Sequence, residues 1–367
     1  MVAKKNKFIK HVLTLIILAS CTSTSKNLIN SSNKSDTKDL QRELEDIYTY
    51  KNFLMSDFEI IQKAIESQNL SQPQLRDIKL LKSNYQKILS KNKYKIELNP
   101  AQKYSKELIE LIYQYNLPIN ISWNKGKNNM ISKDILQNKI EGFCSSLYDD
   151  SISSINKEIN SSTGSILIIY SEEYESFAKG IKSANKNIYT VKYDENDFQK
   201  FASEILGINL SEKRFKKISS LNPNQIMNFK PRSRSDIKQI VLILKPSEFK
   251  AMIPALRYHG SNKFKYVNFI SSLEGLSDPF QLLDYEDSFI PISKFFSRKI
   301  QNDSSTSIEG FLKYGALSDW MISNILKQAG IQSAKIEGLT GTVFYNSNSC
   351  NRRVIPMQRI SSDLFSN

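Results

Sequence analysis

The chain has 367 residues, of which 40% are hydrophobic, and it carries 51 Lys and Arg against 37 Asp and Glu. This apolar content is sufficient for one large or two modest packed domains, and it excludes a wholly disordered chain. Three cysteines and two histidines exclude a disulfide-framework fold, a four-cysteine zinc site and a multi-histidine metal site.

The first residues have the layout of a signal peptide. Four lysines within the first ten residues precede the apolar run Val12–Ala19, which is too short to cross a hydrocarbon core of about 30 Å. The run leads into Leu18, Ala19, Ser20 and Cys21, a sequence that resembles a bacterial lipobox. We therefore expect residues 1–20 to be a lipoprotein signal peptide and the Cys21 thiol to carry a lipid.

The residues that follow Cys21 predict a flexible tether and a sorting signal for the outer membrane. Residues 21–36 contain Leu28 and Ile29 as their only aliphatic side chains, too few to bury, so we expect a lipidated flexible tether. Thr22, rather than Asp, follows the cysteine, which resembles the outer-membrane address of Gram-negative lipoproteins. The expected location is the outer membrane, facing the periplasm. No later stretch is long and apolar enough to span a bilayer, so the lipid is the one membrane attachment that the sequence predicts.

Residues 37–116 show the spacing of amphipathic helices, with apolar residues three and four apart. Ser71 before Pro73, and Asn99 before Pro100, are helix start signals. We predict an all-α module of about three helices. Tetratricopeptide-like pairing is compatible with it, although the internal repeat that would establish such pairing is missing.

From residue 117 the pattern changes to strands that alternate with helices. The predicted strands are Ile119–Trp123, Ser165–Tyr170, Ile188–Tyr193, Ile240–Leu244 and Tyr266–Ile270. The predicted helices are Ile131–Leu147, Tyr174–Ala184, Phe198–Leu206, Glu248–Tyr258 and Phe311–Lys327. A hairpin is predicted from Gly341–Tyr345 and Arg353–Met357. The alternation, with short connections, predicts an α/β domain whose sheet is mainly parallel.

Several segments of this region carry a resemblance to a known family. They are Phe201–Gly207, Leu210–Arg214, Phe229–Asp236, Ile253–His259, Leu312–Asp319, Gly338–Gly341 and Arg352–Met357. In this order they resemble the C-terminal domain of the LppC/LpoA family, outer-membrane lipoproteins that activate class A penicillin-binding proteins. The resemblance covers roughly residues 130–360, and the register of the Pro-Arg-x-Arg-x-Asp string within Phe229–Asp236 with the flanking elements strengthens it.

The resemblance implies a type I periplasmic-binding-protein fold of two Rossmann-like lobes, used for protein contact rather than solute capture. Only Asp149–Gly164 lies where family members carry several strand–helix units, so we expect a reduced first lobe. The expected domain spans residues 117–362, with a reduced lobe from 117–148 and 278–330 and a fuller lobe from 149–277 and 331–362.

The function that the resemblance implies is binding and activation of a peptidoglycan synthase, a class A penicillin-binding protein. Peptidoglycan itself is a further candidate partner. Two alternatives stay open: a type I solute-binding lipoprotein for a small ligand, and a structural envelope protein.

A basic cluster lies between Lys213 and Arg234, a stretch without acidic residues. Its members are Lys213, Arg214, Lys216, Lys217, Lys230, Arg232 and Arg234. One interpretation is a solvated face whose arginines pair with Asp236 and with helix ends. The other is a surface for the acidic patch of a partner enzyme, peptidoglycan carboxylates or lipid headgroups. Nucleic acid is not an expected partner, because a periplasmic lipoprotein does not meet it.

The sequence predicts no catalytic residue, cofactor or metal. His259, beside Tyr258 at a predicted helix end, fits a capping or packing role better than general-base chemistry. The neighbours Asp149 and Asp150 point in different directions on a helix and so form no acid/base pair. The sequence contains no Gly-x-Ser-x-Gly nucleophile motif, no Gly-x-Gly-x-x-Gly motif, no phosphate-binding loop and no His-Glu-x-x-His zinc motif.

The two remaining cysteines are expected to lie apart. Cys144 falls in the predicted helix Ile131–Leu147 and Cys350 in the turn of the predicted hairpin. A pair is chemically open in an oxidising periplasm, but a buried helix and an exposed turn favour separate placement.

Overall fold

The computed structural model describes most of the chain beyond residue 134 and parts of what precedes it. The described residues are 93–98, 119–123, 135–161, 163–182, 187–194, 197–221, 228–260, 263–293 and 308–362, with isolated positions between 72 and 109. The isolated positions, Ser83 and Lys87 among them, are helical, as the periodicity of this segment predicts. The signal peptide, the tether and Cys21 lie outside the described residues.

The described part of the chain forms eleven strands and six α-helices. The strands are β1 (Tyr94–Leu98), β2 (Ile119–Trp123), β3 (Ser165–Ser171), β4 (Ile188–Tyr193), β5 (Ile237–Ile243), β6 (Lys265–Asn268), β7 (Ser288–Pro291), β8 (Ser333–Glu337), β9 (Thr342–Asn346), β10 (Arg352–Val354) and β11 (Met357–Arg359). The helices are α1 (Leu147–Asn160), α2 (Glu175–Lys179), α3 (Phe198–Ile205), α4 (Ile208–Leu221), α5 (Pro246–Gly260) and α6 (Ile308–Gln328).

Six of the described strands form the central sheet, in the order β4-β3-β5-β6-β7-β11. All neighbours in this sheet are parallel except β11, which runs antiparallel to β7. The α/β class with a mostly parallel central sheet is therefore confirmed. β7 comes from residues 278–330, the segment expected in the reduced lobe, yet it pairs with β6 of the fuller one.

The core of the protein lies on both faces of this sheet. Ile166–Ile169 of β3 and Ile240–Ile243 of β5 are almost completely buried, as continuous apolar runs require of central parallel strands. Helices α1 and α5 cover the sheet with side chains such as Ile155 and Leu256. Helix α6 adds a further apolar stripe that includes Met321. The central sheet is thus a rigid support for the loops at its edges.

A two-stranded parallel sheet corrects the prediction of an all-α segment 37–116. Within that segment lies β1, which pairs with β2. Tyr94, Ile96 and Leu98 are buried while Lys95 and Glu97 are exposed, so the period is two rather than helical. The side-chain amide of Gln328, near the end of α6, accepts the Lys95 N–H at 2.9 Å and donates to its carbonyl at 2.6 Å.

Two predicted helices differ from those observed. The described part of Ile131–Leu147 consists of turns, because Gly142 adopts a φ of 85° and Ser146 is the N-cap of α1. The Ser146 hydroxyl accepts the Asp149 N–H, and the Asp149 carboxylate accepts the Ser146 N–H, a reciprocal cap that fixes where α1 begins. The helix predicted over Tyr174–Ala184 is shorter, since α2 ends before Gly180.

Cys144 and Cys350 form a disulfide, so the expectation that they lie apart is wrong. Their Cα atoms are 4.9 Å apart across 206 residues of sequence. Cys144 lies in the turns before α1, not in a helix, and its N–H donates to the Asn351 carbonyl at 2.9 Å. Asn351 in turn donates its N–H to the Gly142 carbonyl at 2.7 Å. The loop before α1 and the β9–β10 turn are therefore paired along their backbones as well as through sulfur.

Candidate functional site

The carboxyl ends of the parallel strands are the usual ligand site of an open α/β sheet, at the point where the strand order reverses. Here the order reverses beside β3, which has β4 on one side and β5 on the other. The Lys245 N–H, just after β5, donates to the Ser171 hydroxyl at 3.0 Å and to the Glu248 carboxylate at 3.1 Å. Ser171 also donates to Glu248. These polar groups thus satisfy one another.

An aromatic cluster fills the adjoining part of the same sheet edge. It consists of Tyr148, Tyr174, Phe177 and Phe269, with ring centroids between 4.8 and 6.5 Å apart. The Tyr148 hydroxyl donates to the Glu274 carboxylate. Burial raises the pKa of Tyr148 and of Tyr174, so both are neutral phenols. The chain's own side chains therefore occupy the edge that a solute would need.

A buried cluster of charges joins α1, α6 and the C-terminal hairpin. Arg353 of β10 is 6% exposed, and its Nη1 lies 3.4 Å from Oδ2 of Asp150. Its guanidinium carbon lies 4.4 Å from the centre of the Phe143 ring. Asp319 of α6 accepts the backbone N–H groups of Leu339 at 2.8 Å and of Thr340 at 3.1 Å. We call Asp150, Asp319 and Arg353 the buried charge cluster.

In the buried charge cluster, burial and the mutual attraction of the charges act in opposite directions on the pKa values. Burial raises the pKa of Asp150 and of Asp319, and the positive charge of Arg353 counteracts both shifts. Burial also lowers the pKa of Arg353, which the two carboxylates oppose. An arginine does not lose its proton in a protein, so its charge must be compensated by its neighbours. Asp150 and Asp319 therefore have a structural role, which is to compensate the buried charge of Arg353.

Six members of the predicted basic cluster share one exposed surface. Lys213, Arg214, Lys216 and Lys217 lie on α4, and Lys230 and Arg232 lie on the segment that runs back along it. We call these six residues the basic surface. The Arg232 N–H donates to the Ser211 hydroxyl at 3.3 Å, and the rings of Phe215 and Phe229 stack at 4.3 Å. The two segments are thereby held side by side.

The seventh member, Arg234, has a different role. Its Nε and Nη2 donate to the two oxygens of Asp236 at 3.1 and 2.6 Å. Its guanidinium carbon lies 4.4 Å from the centre of the Tyr189 ring. The hydrogen bond from Arg234 lowers the pKa of Asp236. The Arg234 N–H donates to the Leu206 carbonyl, between α3 and α4, at 2.9 Å, so Arg234 is a structural residue that ties the α3–α4 region to the start of β5.

The other residues singled out in the sequence show no site chemistry. His259 is half-buried near the end of α5 and contacts the Tyr258 ring edge-on, with ring centroids 5.0 Å apart. Within the described ranges, no group of three His, Cys, Asp or Glu side chains is placed to hold a metal ion. No helix in the described part of the chain is long and apolar enough to cross a membrane.

Comparison with known proteins adds no assignment. A scan against protein-family models finds no match, and a search of the curated proteins finds none either.

Proposed function

We propose that this protein is a non-catalytic lipoprotein of the outer membrane that binds and activates a peptidoglycan synthase of the class A penicillin-binding type. The main support is that three segments carrying the resemblance depend on one another in space. Asp319 comes from Leu312–Asp319, its N–H donors come from Gly338–Gly341, and Arg353 comes from Arg352–Met357. A Cβ at Gly338 would lie 2.4 Å from the Asp319 carboxylate, so a larger residue there would displace that carboxylate from its N–H donors.

The strand order of the central sheet supports the type I periplasmic-binding-protein fold that is part of this proposal. With β3 as the first strand, the parallel part of the sheet has the order 2-1-3-4-5, one of the two common orders of doubly wound domains. A doubly wound order is Rossmann-like, and it supports the fuller lobe of the proposed type I periplasmic-binding-protein fold, with β7 added to the strands expected there. The reduced first lobe stays part of the proposal.

Protein contact is favoured over solute capture by the aromatic cluster. Tyr148 and Phe269 are completely buried at the carboxyl edge of the sheet, where a solute of the type I class would lie. Ser171 and Glu248, the polar groups beside them, bond to each other. A solute-binding lipoprotein would keep such groups free for its ligand.

The disulfide supports an oxidising compartment. Structural disulfides persist in the periplasm and are rare in the cytosol. Cys144 and Cys350 form such a bond, which agrees with export directed by a signal peptide and with a lipid on Cys21. Activation itself would be allosteric, since it requires tighter binding to the active synthase conformation than to the inactive one.

The test is a pull-down with the lipid-free chain from residue 22 onward, followed by glycan-polymerisation and crosslinking assays on the captured synthase. We expect stimulation of the synthase, and no hydrolysis or polymerisation of peptidoglycan by the protein alone. His259→Ala should leave the stimulation within a few fold. Muropeptide cleavage that is lost in His259→Ala would overturn the proposal. In cells, Cys21→Ala should abolish lipid labelling and outer-membrane residence.

A further inference from the structure

The outward face of α4 combines apolar and cationic side chains on one line. Leu210, Arg214, Lys217 and Leu221 are spaced four, three and four residues apart, which places them along a single face of the helix. We call these four residues the outer line. Leu210 is 58% exposed and Leu221 is 72% exposed, and Ile218 beside them is 50% exposed.

The opposite face of α4 attaches the helix to the protein. Of the residues of α4, all of which the structure describes, only Ile208 is buried. Phe215 stacks on Phe229, and Ser203 of α3 donates its hydroxyl to the Asn209 side chain at 2.9 Å. The helix is therefore held from one side, and the outer line faces away from the protein.

Within the described part of the chain, the cations on and beside the outer line form no ion pair. Among the described residues, no carboxylate forms an ion pair with any of the six residues of the basic surface, whereas Arg234 next to them has Asp236. A solvated face needs charges but gains nothing from three large exposed aliphatic side chains on one helix. Apolar side chains gathered on a charged surface mark an interaction site.

We propose that the outer line docks on an acidic protein surface, with carboxylates opposite Arg214 and Lys217 and apolar side chains opposite Leu210 and Leu221. Complementary charge would steer the encounter, and the leucines would be desolvated at the ends of the contact. The inference rests on the proposed function for the identity of this partner, the class A synthase.

The order of side chains on the outer line disfavours a lipid surface. In an interfacial helix the cations border the apolar sector and reach up to the headgroups. Here Arg214 and Lys217 lie between the two leucines, so inserting both leucines would carry the two charges toward hydrocarbon. A protein can place carboxylates at the point where the charges lie.

The experiment measures binding of the chain from residue 22 onward to the purified periplasmic part of the synthase, at about 50 mM and about 300 mM salt. Three double variants are compared with the wild type. They are Arg214→Glu/Lys217→Glu, Leu210→Ser/Leu221→Ser and, as a charge-matched control on exposed lysines outside the basic surface, Lys250→Glu/Lys335→Glu. Melting temperatures show that each variant is folded.

We expect the charge variant to bind at least about tenfold more weakly, mainly through slower association, and to lose most of the salt dependence. The leucine variant should weaken binding about tenfold at both salt concentrations, through faster dissociation. The control should bind within about twofold of the wild type.

Equal synthase binding by the wild type and all variants overturns this inference and leaves the proposed function standing. Failure of the wild type to bind the synthase overturns both. Two further measurements identify other occupants. If both outer-line variants lose binding to phosphatidylglycerol vesicles while their synthase binding is unchanged, the outer line binds lipid. If they instead lose self-association in sedimentation, with synthase binding again unchanged, the outer line binds a second copy of the chain. Either result overturns the inference.

Discussion

The buried charge cluster and the basic surface both contain cationic side chains, but in opposite settings. Arg353 is buried beside Asp150 and also interacts electrostatically with Asp319, and both carboxylates come from distant parts of the chain. Lys217 and its neighbours on α4 are exposed, and within the described residues they pair with no carboxylate. The first set fixes how the elements pack, because a buried charge without partners is unfavourable. The second adds little to folding and is therefore available for binding.

Removal of Arg353 should have the largest effect on stability. Arg353→Met leaves Asp150 and Asp319 buried without a cation, which typically lowers the free energy of unfolding by about 3–5 kcal/mol. Arg352→Met is the matched control, because Arg352 is the exposed neighbour on the same strand, and its effect should be within about 0.5 kcal/mol. Urea unfolding measures both.

The same experiment separates charge from packing. Adding Asp150→Asn to Arg353→Met should restore part of the lost stability, since it removes one of the two uncompensated carboxylates. A double variant that is less stable than Arg353→Met alone would contradict the electrostatic explanation.

Loss of the disulfide should come next. Cys144→Ser/Cys350→Ser frees the hairpin that carries Arg353, and removal of a native disulfide costs about 2–5 kcal/mol. Reduction of the wild-type protein should give the same urea midpoint as the double variant. A midpoint unchanged by reduction would show that the backbone bonds around Asn351 hold the hairpin by themselves.

The Arg234–Asp236 pair is intermediate between the buried charge cluster and the basic surface, and its contribution to stability should depend on pH. Arg234→Ala should destabilise by up to about 1 kcal/mol at neutral pH, as for other exposed pairs. Because the pKa of Asp236 is lowered from its ordinary value of 3.8, this stabilisation is present above 3.8 and is lost as the pH falls through the lower, folded-state pKa. Arg232→Ala, without a carboxylate partner among the described residues, should show no such change in urea unfolding.

Reversal of charge on the basic surface should have the smallest effect on stability. The variant Lys216→Glu/Lys217→Glu/Arg232→Glu changes exposed side chains, so its unfolding free energy should stay within about 0.5 kcal/mol of the wild type. Its association with the synthase should be slower and less dependent on salt. A large drop in melting temperature would show that these cations stabilise the fold, as Arg353 does, and are not merely exposed charges.

The parallel sheet could be predicted because its signal is local. The continuous apolar run of β3 and the alternation of strands with helices are visible in short windows of sequence. The alternation in β1 was just as local, but the helical spacing on either side concealed it. Turn chemistry at Gly142 and the cap at Ser146 explain why α1 begins later than the helix predicted there.

The contacts that could not be predicted join distant parts of the chain. Cys144 and Cys350 each lie in an irregular loop, and no local pattern shows that the two loops meet. Asp150 is an ordinary helix residue by sequence, and only the hairpin position of Arg353 makes it a buried partner. The Arg234–Asp236 pair, in contrast, is local, and the spacing of two residues in the sequence indicates it before the structure shows it.

The C-terminal hairpin supplies the last-made partners of two contacts that join distant parts of the chain. Arg353 follows Asp150 by 203 residues, and Cys350 follows Cys144 by 206. A ribosome therefore makes the counter-ion and the second thiol long after the residues that need them. Until then the two aspartates oppose burial and one edge of the central sheet lacks β11. We therefore expect the disulfide and the packing around Arg353 to form only after the C-terminal hairpin has been made.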